Sequence, residues 1–197
     1  KVSECASVPS GLFRFDVEEI RRSRPFPKWV VPELRTDHAG EVGAVMIYVG
    51  AYVVATVIPF LPMAAERAAI RRHLIAESYH LHAFESVLLP NEQSFLRPLW
   101  ALMGFVLGAL SALMGRTAYH RMVQAVETYV TVHYQEQIAR LPEGGRHGTL
   151  RALLVACQAD EIHHRQDAEA SLSCGPDDPP SLLVRLWMWV CAVGSAA

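Results

Sequence analysis

Two short stretches of one pattern, Glu77-Ser78-Tyr79-His80 and Glu161-Ile162-His163-His164, decide the fold of this 197-residue chain. They are the only two places in the sequence where a glutamate stands three residues before a histidine. Residues three apart share one face of a helix, so each stretch can present a carboxylate and an imidazole side by side. The chain has nine histidines, so a chance match is easy, and a solvated Glu–His pair is the simpler explanation of either stretch alone.

Each stretch has an acidic companion on the preceding helix of its own half of the chain. Glu41 lies 36 residues before the first stretch, and Glu127 lies 34 residues before the second. A tyrosine follows each companion by seven residues, at Tyr48 and Tyr134. This repetition makes a chance origin of the two stretches much harder to sustain.

The combined pattern is the ligand set of a dinuclear metal centre inside a four-helix bundle, in which two helices each supply a glutamate and two supply a Glu-x-x-His. The predicted metal ligands, which are also the predicted catalytic residues, are Glu41, Glu77, His80, Glu127, Glu161 and His164. Oxygen-rich ligation with two imidazoles suits iron or manganese and leaves positions open for dioxygen, whereas structural zinc usually recruits cysteine. Without metal, four inward carboxylates are costly to bury, and we expect their pKa values to be raised.

Three further residues are predicted to support the bound cofactor. Asp37 and His38 lie on the helical face of the first companion glutamate, where either can hydrogen-bond a ligand or bridge to the facing helix. The alternative for this pair is a helix cap with a solvated neighbour, because aspartate is favoured in a first turn. Tyr134 is predicted to point inward, and His73 is predicted to be a surface histidine.

The chain as a whole predicts an all-α protein, because apolar residues recur at helical spacing and prolines and glycines separate the segments. The predicted helices span residues 33–57, 63–88, 98–114, 117–141, 147–172 and 180–196. Residues 1–32 are rich in helix breakers and are predicted to be an irregular N-terminal segment. Residues 33–197 are predicted to form a single domain, which suits the length of the chain.

Two of the predicted helices are nearly all apolar. The run 99–114 has no charge but is shorter than the roughly 20 residues that cross a bilayer upright. The run 182–197 carries Arg185 with Trp187 and Trp189. Charged residues make up only 19% of the chain, which favours contact of apolar surface with lipid or a protein partner. Two interpretations stay open: buried core helices, or helices that lie in one leaflet with tryptophans at the interface.

Composition argues against several other classes of protein. The formal net charge is −2, and no basic stripe with interleaved aromatic residues occurs, so we expect no nucleic-acid partner. The four cysteines lack the short spacings of a zinc knuckle or a redox pair, which favours a reducing compartment. The chain begins with lysine and without a long apolar signal core, so its targeting stays open.

With these residues the sequence resembles the demethoxyubiquinone hydroxylase family. The matching stretches, in order between residues 33 and 195, are Asp37-His38-Ala39-Gly40-Glu41-Val42-Gly43-Ala44, Glu77-x-x-His80-Leu81-x-x-Phe84, Pro98-Leu99-Trp100 with Gly104, Gly108 and Gly115, Val126-Glu127 through His133-Tyr134 with Gln137-Ile138 and Leu141, and Asp160-Glu161-x-x-His164. The resemblance implies a ferritin-like four-helix bundle with two additional apolar, membrane-associating helices. The six predicted ligands fall on the family's iron-ligand positions, and the resemblance implies that Glu77 and Glu161 are among those that bridge or shift between the irons. Tyr79 and His82 replace charged residues that are usual in the family, which bears on surface partners more than on chemistry.

The activity that the resemblance implies is a monooxygenase reaction of ubiquinone biosynthesis. Dioxygen at a centre of two iron ions hydroxylates a polyprenylated methoxy-methyl-benzoquinol, and an external reductant, for which NADH is a candidate, supplies two electrons. The chain has no glycine-rich dinucleotide fingerprint, so any nicotinamide contact is unconventional. The resemblance also implies a peripheral membrane protein, on the cytoplasmic face of a bacterial inner membrane or the matrix face of the mitochondrial one. Its candidate partners besides lipid are a lipid-binding protein and further copies of the chain as a homo-oligomer.

Two other classes of function remain as alternatives. The first is a non-catalytic lipid- or quinone-binding helical bundle, against which the intact set of six ligands argues. The second is another ferritin-like di-iron oxidase or an iron store. Iron storage predicts a polar exterior, and a tRNA-modifying member predicts a basic face; the two apolar helices fit neither.

Overall fold

The computed structural model describes residues 15–58 and 62–173, and every regular element within these ranges is a helix. The α-helices are α1 (Val17–Arg22), α2 (Val30–Val57), α3 (Arg67–Val87), α4 (Arg97–Leu113), α5 (Arg116–Arg140) and α6 (Gly148–Ser173), and a 3-10 helix (Pro62–Glu66) leads into α3. The prediction of an all-α protein is confirmed. The predicted helix at 180–196 lies outside the described residues.

The N-terminal part of the described chain differs in detail from the prediction. The short helix α1 lies within the segment that was predicted to be irregular, and α2 begins at Val30 rather than at residue 33. Asp16 caps α1, since its side chain accepts a hydrogen bond from the Glu19 amide at 3.1 Å, and acidic residues follow in the first turn. Ile20 anchors α1 because its side chain is fully buried. The division of the chain into one segment and one domain stays a prediction.

Helices α2, α3, α5 and α6 form the bundle, in which α2 packs on α3 and α5 packs on α6. One apolar cluster contains Leu34, Phe84, Ile138 and Leu153. The other includes Met63 of the 3-10 helix and contains Ile47, Ile70, Met122 and Ala168 from the four helices of the bundle. On every helix of the bundle the predicted ligands stand between these two clusters in sequence. The apolar clusters therefore close the centre of the bundle from both ends.

Helix α4 lies along α2, and glycines bring the two backbones together. A Cβ atom at Gly108 would stand 2.6 Å from the carbonyl carbon of Ile47, and one at Gly104 would stand 3.0 Å from the Cα of Gly43. A Cβ atom at Gly50 would meet the Ala109 nitrogen at 2.9 Å. Side chains at these glycine positions would hold the helices apart, so the seam between α2 and α4 requires glycine.

The face of α4 that points away from α2 is apolar and exposed. Its large side chains, each between 42% and 61% exposed, are Leu99, Leu102, Met103, Val106, Leu110 and Leu113. Phe95 precedes them and is 87% exposed. Within the described part of the chain α4 is therefore exposed along one face, which favours the interpretation of a helix in contact with lipid for this run.

Helix α2 is also apolar, although only the runs 99–114 and 182–197 were predicted to be nearly all apolar. In the described part of the chain it is the one helix that is long and apolar enough to cross a membrane, and 44% of its most apolar window is buried in the protein. The core helix of a soluble protein meets the same test. The apolar character of α2 and the exposed face of α4 are compatible with membrane association.

Candidate metal centre

The six predicted ligands meet in the middle of the bundle, and none is more than 3% exposed. They fall into two groups, and within each group one donor atom from every residue lies within 4.8 Å of the others. The first group is Glu41, Glu77, His80 and Glu161, and the second is Glu77, Glu127, Glu161 and His164. Since Glu77 and Glu161 belong to both groups, they occupy the positions from which a carboxylate can bridge two metal ions.

Each imidazole points its Nδ1 atom at the two shared carboxylates. His80 Nδ1 lies 3.0 Å from Glu161 Oε1 and 3.4 Å from Glu77 Oε2. His164 Nδ1 lies 2.9 Å from Glu77 Oε1 and 3.3 Å from Glu161 Oε2. Neither nitrogen has a hydrogen-bond partner despite these short distances. Buried polar atoms that crowd together without bonding one another are what ligands of a common ion look like without the ion.

Two tyrosines hold the outer carboxylates in a crossed arrangement. Tyr48 Oη donates to Glu127 Oε1 at 2.8 Å, and Tyr134 Oη donates to Glu41 Oε1 at 2.5 Å. Each tyrosine thus supports the glutamate of the other half of the chain. These bonds orient carboxylates that have no freedom to find solvent partners.

Asp160 orients one of the two imidazoles in a similar way. Its Oδ2 atom lies 3.2 Å from His80 Nε2, so the proton of the neutral ring belongs on Nε2 and the Nδ1 lone pair faces the carboxylates. His163, the residue immediately before His164, has a side chain that is 69% exposed. Within the second Glu-x-x-His region, Asp160 contacts the predicted ligand His80 and His163 faces outward.

The other predicted supports have different partners. Asp37 Oδ1 accepts a hydrogen bond from Gln137 Nε2 at 2.7 Å, and His133 Nε2 lies 3.1 Å from the same oxygen. His38 Nδ1 accepts a hydrogen bond from the Ser94 amide at 3.3 Å. Asp37 therefore bridges α2 to α5 and His38 ties α2 to the loop before α4. Among the described contacts, neither of the two hydrogen-bonds one of the six.

The prediction that His73 is a surface histidine is wrong. His73 is 6% exposed, and its ring lies 4.2 Å from the ring of His164, centroid to centroid, at 32°. Its Nε2 atom lies 3.1 Å from Asp167 Oδ2. Burial and the nearby His164 lower the pKa of His73 to about 4. The signal was present in the sequence, because His73 stands four residues before Glu77 and so shares its helical face.

The four carboxyl groups divide into two kinds by acidity. Burial, together with like charges nearby, raises the pKa of Glu41 and Glu127 well above the usual value. Burial acts in the same direction on Glu77 and Glu161, but the adjacent imidazoles outweigh it and hold the pKa of both below the usual value. The expectation of four raised pKa values is therefore right for two carboxyls and wrong for the two that face imidazoles.

The imidazoles complete the charge balance. Burial disfavours the charged ring, yet the acidic neighbours raise the pKa of His80 and His164 well above the ordinary value. In the metal-free protein these shifts favour the charged forms of Glu77, Glu161 and the two imidazoles and the protonated forms of Glu41 and Glu127. Four carboxylates and two neutral imidazoles would instead balance two divalent cations, so the donor set fits a pair of iron or manganese ions.

Comparison with known proteins places these residues in a family. The sequence model of the family described as "Ubiquinone biosynthesis protein COQ7" matches residues 28–193. A protein of Rhodospirillum rubrum named "3-demethoxyubiquinol 3-hydroxylase" is 35% identical over 135 residues, which are 67% of this chain and 60% of that protein.

Two eukaryotic relatives carry the name "NADPH-dependent 3-demethoxyubiquinone 3-hydroxylase, mitochondrial". The protein of Dictyostelium discoideum is 34% identical over 134 residues, which are 66% of this chain and 59% of that protein. The protein of Homo sapiens is 31% identical over 147 residues, which are 71% of this chain and 65% of that protein. The chain thus matches about three fifths of the length of these relatives. It belongs to the family of the ubiquinone biosynthesis protein COQ7.

Proposed function

We propose that this chain is a di-iron monooxygenase that hydroxylates demethoxyubiquinol with dioxygen in ubiquinone biosynthesis. The observation that carries the proposal is the convergence of six buried donors in two groups that share Glu77 and Glu161. The relatives' names supply the substrate, a demethoxyubiquinol or demethoxyubiquinone. Because the chain matches only about three fifths of the relatives' length, the activity is tested on the chain itself.

The iron pair, when bound, supplies the reductive activation of dioxygen. The reaction puts one oxygen atom on the quinol ring and turns the other into water, which requires two electrons and two protons from outside. The relatives' names point to NADPH as their electron source, and we propose a reduced nicotinamide nucleotide, NADH or NADPH, as the donor here.

The chain's own residues prepare the centre for this chemistry. Tyr48 and Tyr134 hold the outer carboxylates through hydrogen bonds of 2.8 and 2.5 Å. Asp160 holds the His80 ring in the tautomer that presents Nδ1. Because the donors are at most 3% exposed, bulk water is kept from the reacting atoms, which protects a reactive oxidant from quenching.

The exposed apolar face of α4 is the proposed contact with the membrane, where a quinol with a long isoprenoid tail resides. We propose a peripheral membrane protein on the cytoplasmic or matrix side. A lipid-binding partner protein and a homo-oligomer are the protein partners that the family resemblance suggests.

Complementation tests the activity. Cells that lack their own demethoxyubiquinone hydroxylase should, with this chain, convert accumulated demethoxyquinone into ubiquinone in air but not without oxygen, as measured by mass spectrometry of quinone extracts. Glu41→Ala should abolish the conversion, because it removes a ligand. Glu136→Ala is the matched control, since Glu136 is exposed on α5 and should leave conversion intact.

Metal analysis separates the parts of the proposal. Two irons per chain are expected. The iron content should fall in the variants Glu127→Ala and His164→Ala, while their helical circular-dichroism signal persists. One zinc per chain, or no metal in a fully stable protein, would exclude the di-iron centre. Two irons without quinone conversion in air would retain the centre and refute the substrate, leaving a quinone-binding bundle or another di-iron oxidase.

A further inference from the structure

The six donors are closed off from solvent, so a metal ion needs a route to reach them. A cavity of about 320 Å³ opens at the end of the bundle where α3 and α5 begin and α6 ends. Among the residues on its wall are His73 from α3, His120 from α5 and Asp167 from α6. The cavity is separate from the exposed apolar face of α4, none of whose residues lines it.

His73 connects this cavity to the predicted centre. Its Nε2 atom lies 3.1 Å from the Asp167 carboxylate, and its ring lies 4.2 Å from that of His164. Its second nitrogen, Nδ1, is buried without a hydrogen-bond partner. His73 therefore lies at the boundary between the cavity and the predicted centre, with a carboxylate on the cavity side and a predicted ligand on the other.

A second imidazole and carboxylate lie beside the first pair. His120 is 5% exposed, and its Nε2 atom lies 3.3 Å from Glu66 Oε2 but makes no hydrogen bond. Glu66 also pairs with Arg116 at 2.6 Å, which offsets the cationic charge of that arginine on the cavity wall. Arg72 is the other cation on the wall, and it is exposed.

We propose that this cavity is the entry route of metal ions and that Asp167 and His73 form a transit site for a divalent cation on its way to His164. Carboxylate and imidazole are the donor types of the centre itself, so the same ions are recognised at both places. Two donors bind an ion far more weakly than a complete ligand set does, which suits passage rather than storage. The apolar face of α4 offers a hydrated cation no polar partner and would make it lose its water shell.

The inference rests on the metal centre proposed above, and metal uptake by the chain after its metal has been removed tests both. Co²⁺ serves as the probe, because its visible absorption reports ligation, and stopped-flow mixing records the rate. Asp167→Asn should slow uptake by about tenfold at low ionic strength, as expected when a charge that attracts the ion is removed. Ala170→Trp places a bulky uncharged group at the exposed mouth of the cavity and should slow uptake as well.

The matched control is Glu169→Gln, the same loss of charge on α6 at a residue that contacts Gln124 and Arg165 instead of the cavity. It should load at the rate of the unmodified chain. All variants should reach the same final spectrum with two ions per chain. An unmodified rate in either Asp167→Asn or Ala170→Trp, or an altered final spectrum in Asp167→Asn, would overturn the transit site. Failure of the unmodified chain to bind Co²⁺ would overturn the metal centre and the route together.

Discussion

Replacement of Gly108 by alanine tests how α4 is held on α2. A Cβ atom at this position would stand 2.6 Å from the Ile47 carbonyl carbon and 2.8 Å from the Ile47 Cα. Carbon atoms pack best at about 3.5 Å or more, so the helices would have to separate by about 1 Å. The Cβ atom would also collide with the Ile47 carbonyl oxygen. All three atoms are backbone, and they cannot rotate away as the end of a side chain would.

The expected loss of stability follows from two opposing effects. Alanine gains about 1 kcal/mol over glycine in a helix. Overpacking costs about 1–3 kcal/mol in ordinary cores, and a collision between two backbones should exceed that range enough to leave a net loss of about 2 kcal/mol. For a chain of this length such a loss lowers the melting temperature by roughly 4–8 °C.

Gly40→Ala is the matched control, because Gly40 is exposed on α2 and a Cβ atom there would have no neighbour within 4 Å. It should raise the melting temperature through helix propensity alone. Thermal unfolding followed by circular dichroism measures both variants. Iron content per folded chain should not change, since α4 carries none of the six predicted ligands. If Gly108→Ala melts as high as Gly40→Ala, the close approach of the two backbones is wrong.

Three further predictions concern the centre and the apolar face. Tyr48→Phe leaves the buried Glu127 Oε1 atom without its donor and should cost about 1–3 kcal/mol in chemical denaturation of the metal-free chain; unchanged stability would contradict the hydrogen bond. Metal uptake should release protons into a weakly buffered indicator solution, because the carboxyls and imidazoles with raised pKa values hold protons until metal displaces them. For the same reason apparent metal affinity should rise with pH, and uptake without proton release would refute the assigned protonation. Replacing Leu102 and Leu110, which are 61% and 42% exposed, by lysine should move the protein from the membrane to the soluble fraction. The control Val155→Lys on α6 should leave it at the membrane. If the double variant and the control partition equally, α4 is not the membrane contact.

Several features of the site could be predicted because they are local properties of a helix. Glu77 and His80 share a face at a spacing of three, and Glu161 and His164 repeat it, so the pairs are visible without knowing what they face. The same rule puts His73, four residues before Glu77, on the inward face, although that residue was predicted to lie at the surface. Helix boundaries were predicted to within a few residues where proline or glycine ends a segment, as at Pro98 and Gly115.

Contacts between distant residues could not be predicted in this way. The seven-residue spacing of Tyr48 from Glu41 marked it as a companion, but the hydroxyl supports Glu127, 79 residues away. Asp37 lies on the right helical face yet bonds Gln137, 100 residues away. Which partner a side chain finds depends on the angle and register at which two helices pack, and no spacing within one helix contains that information.

The sequence by itself determined that the chain is helical, which six residues carry carboxylate and imidazole groups at metal-binding spacing, and which family the pattern resembles. The resemblance implied that Glu77 and Glu161 are among the bridging ligands, and the tertiary structure shows the distances that put these two carboxylates in both groups of donors. The tertiary structure also decided which two of the four carboxyls have a lowered pKa, because that depends on which ones face the imidazoles. The pKa of a buried carboxyl and its place between two donor groups depend on distances between helices. Helical periodicity depends only on neighbouring residues along one chain.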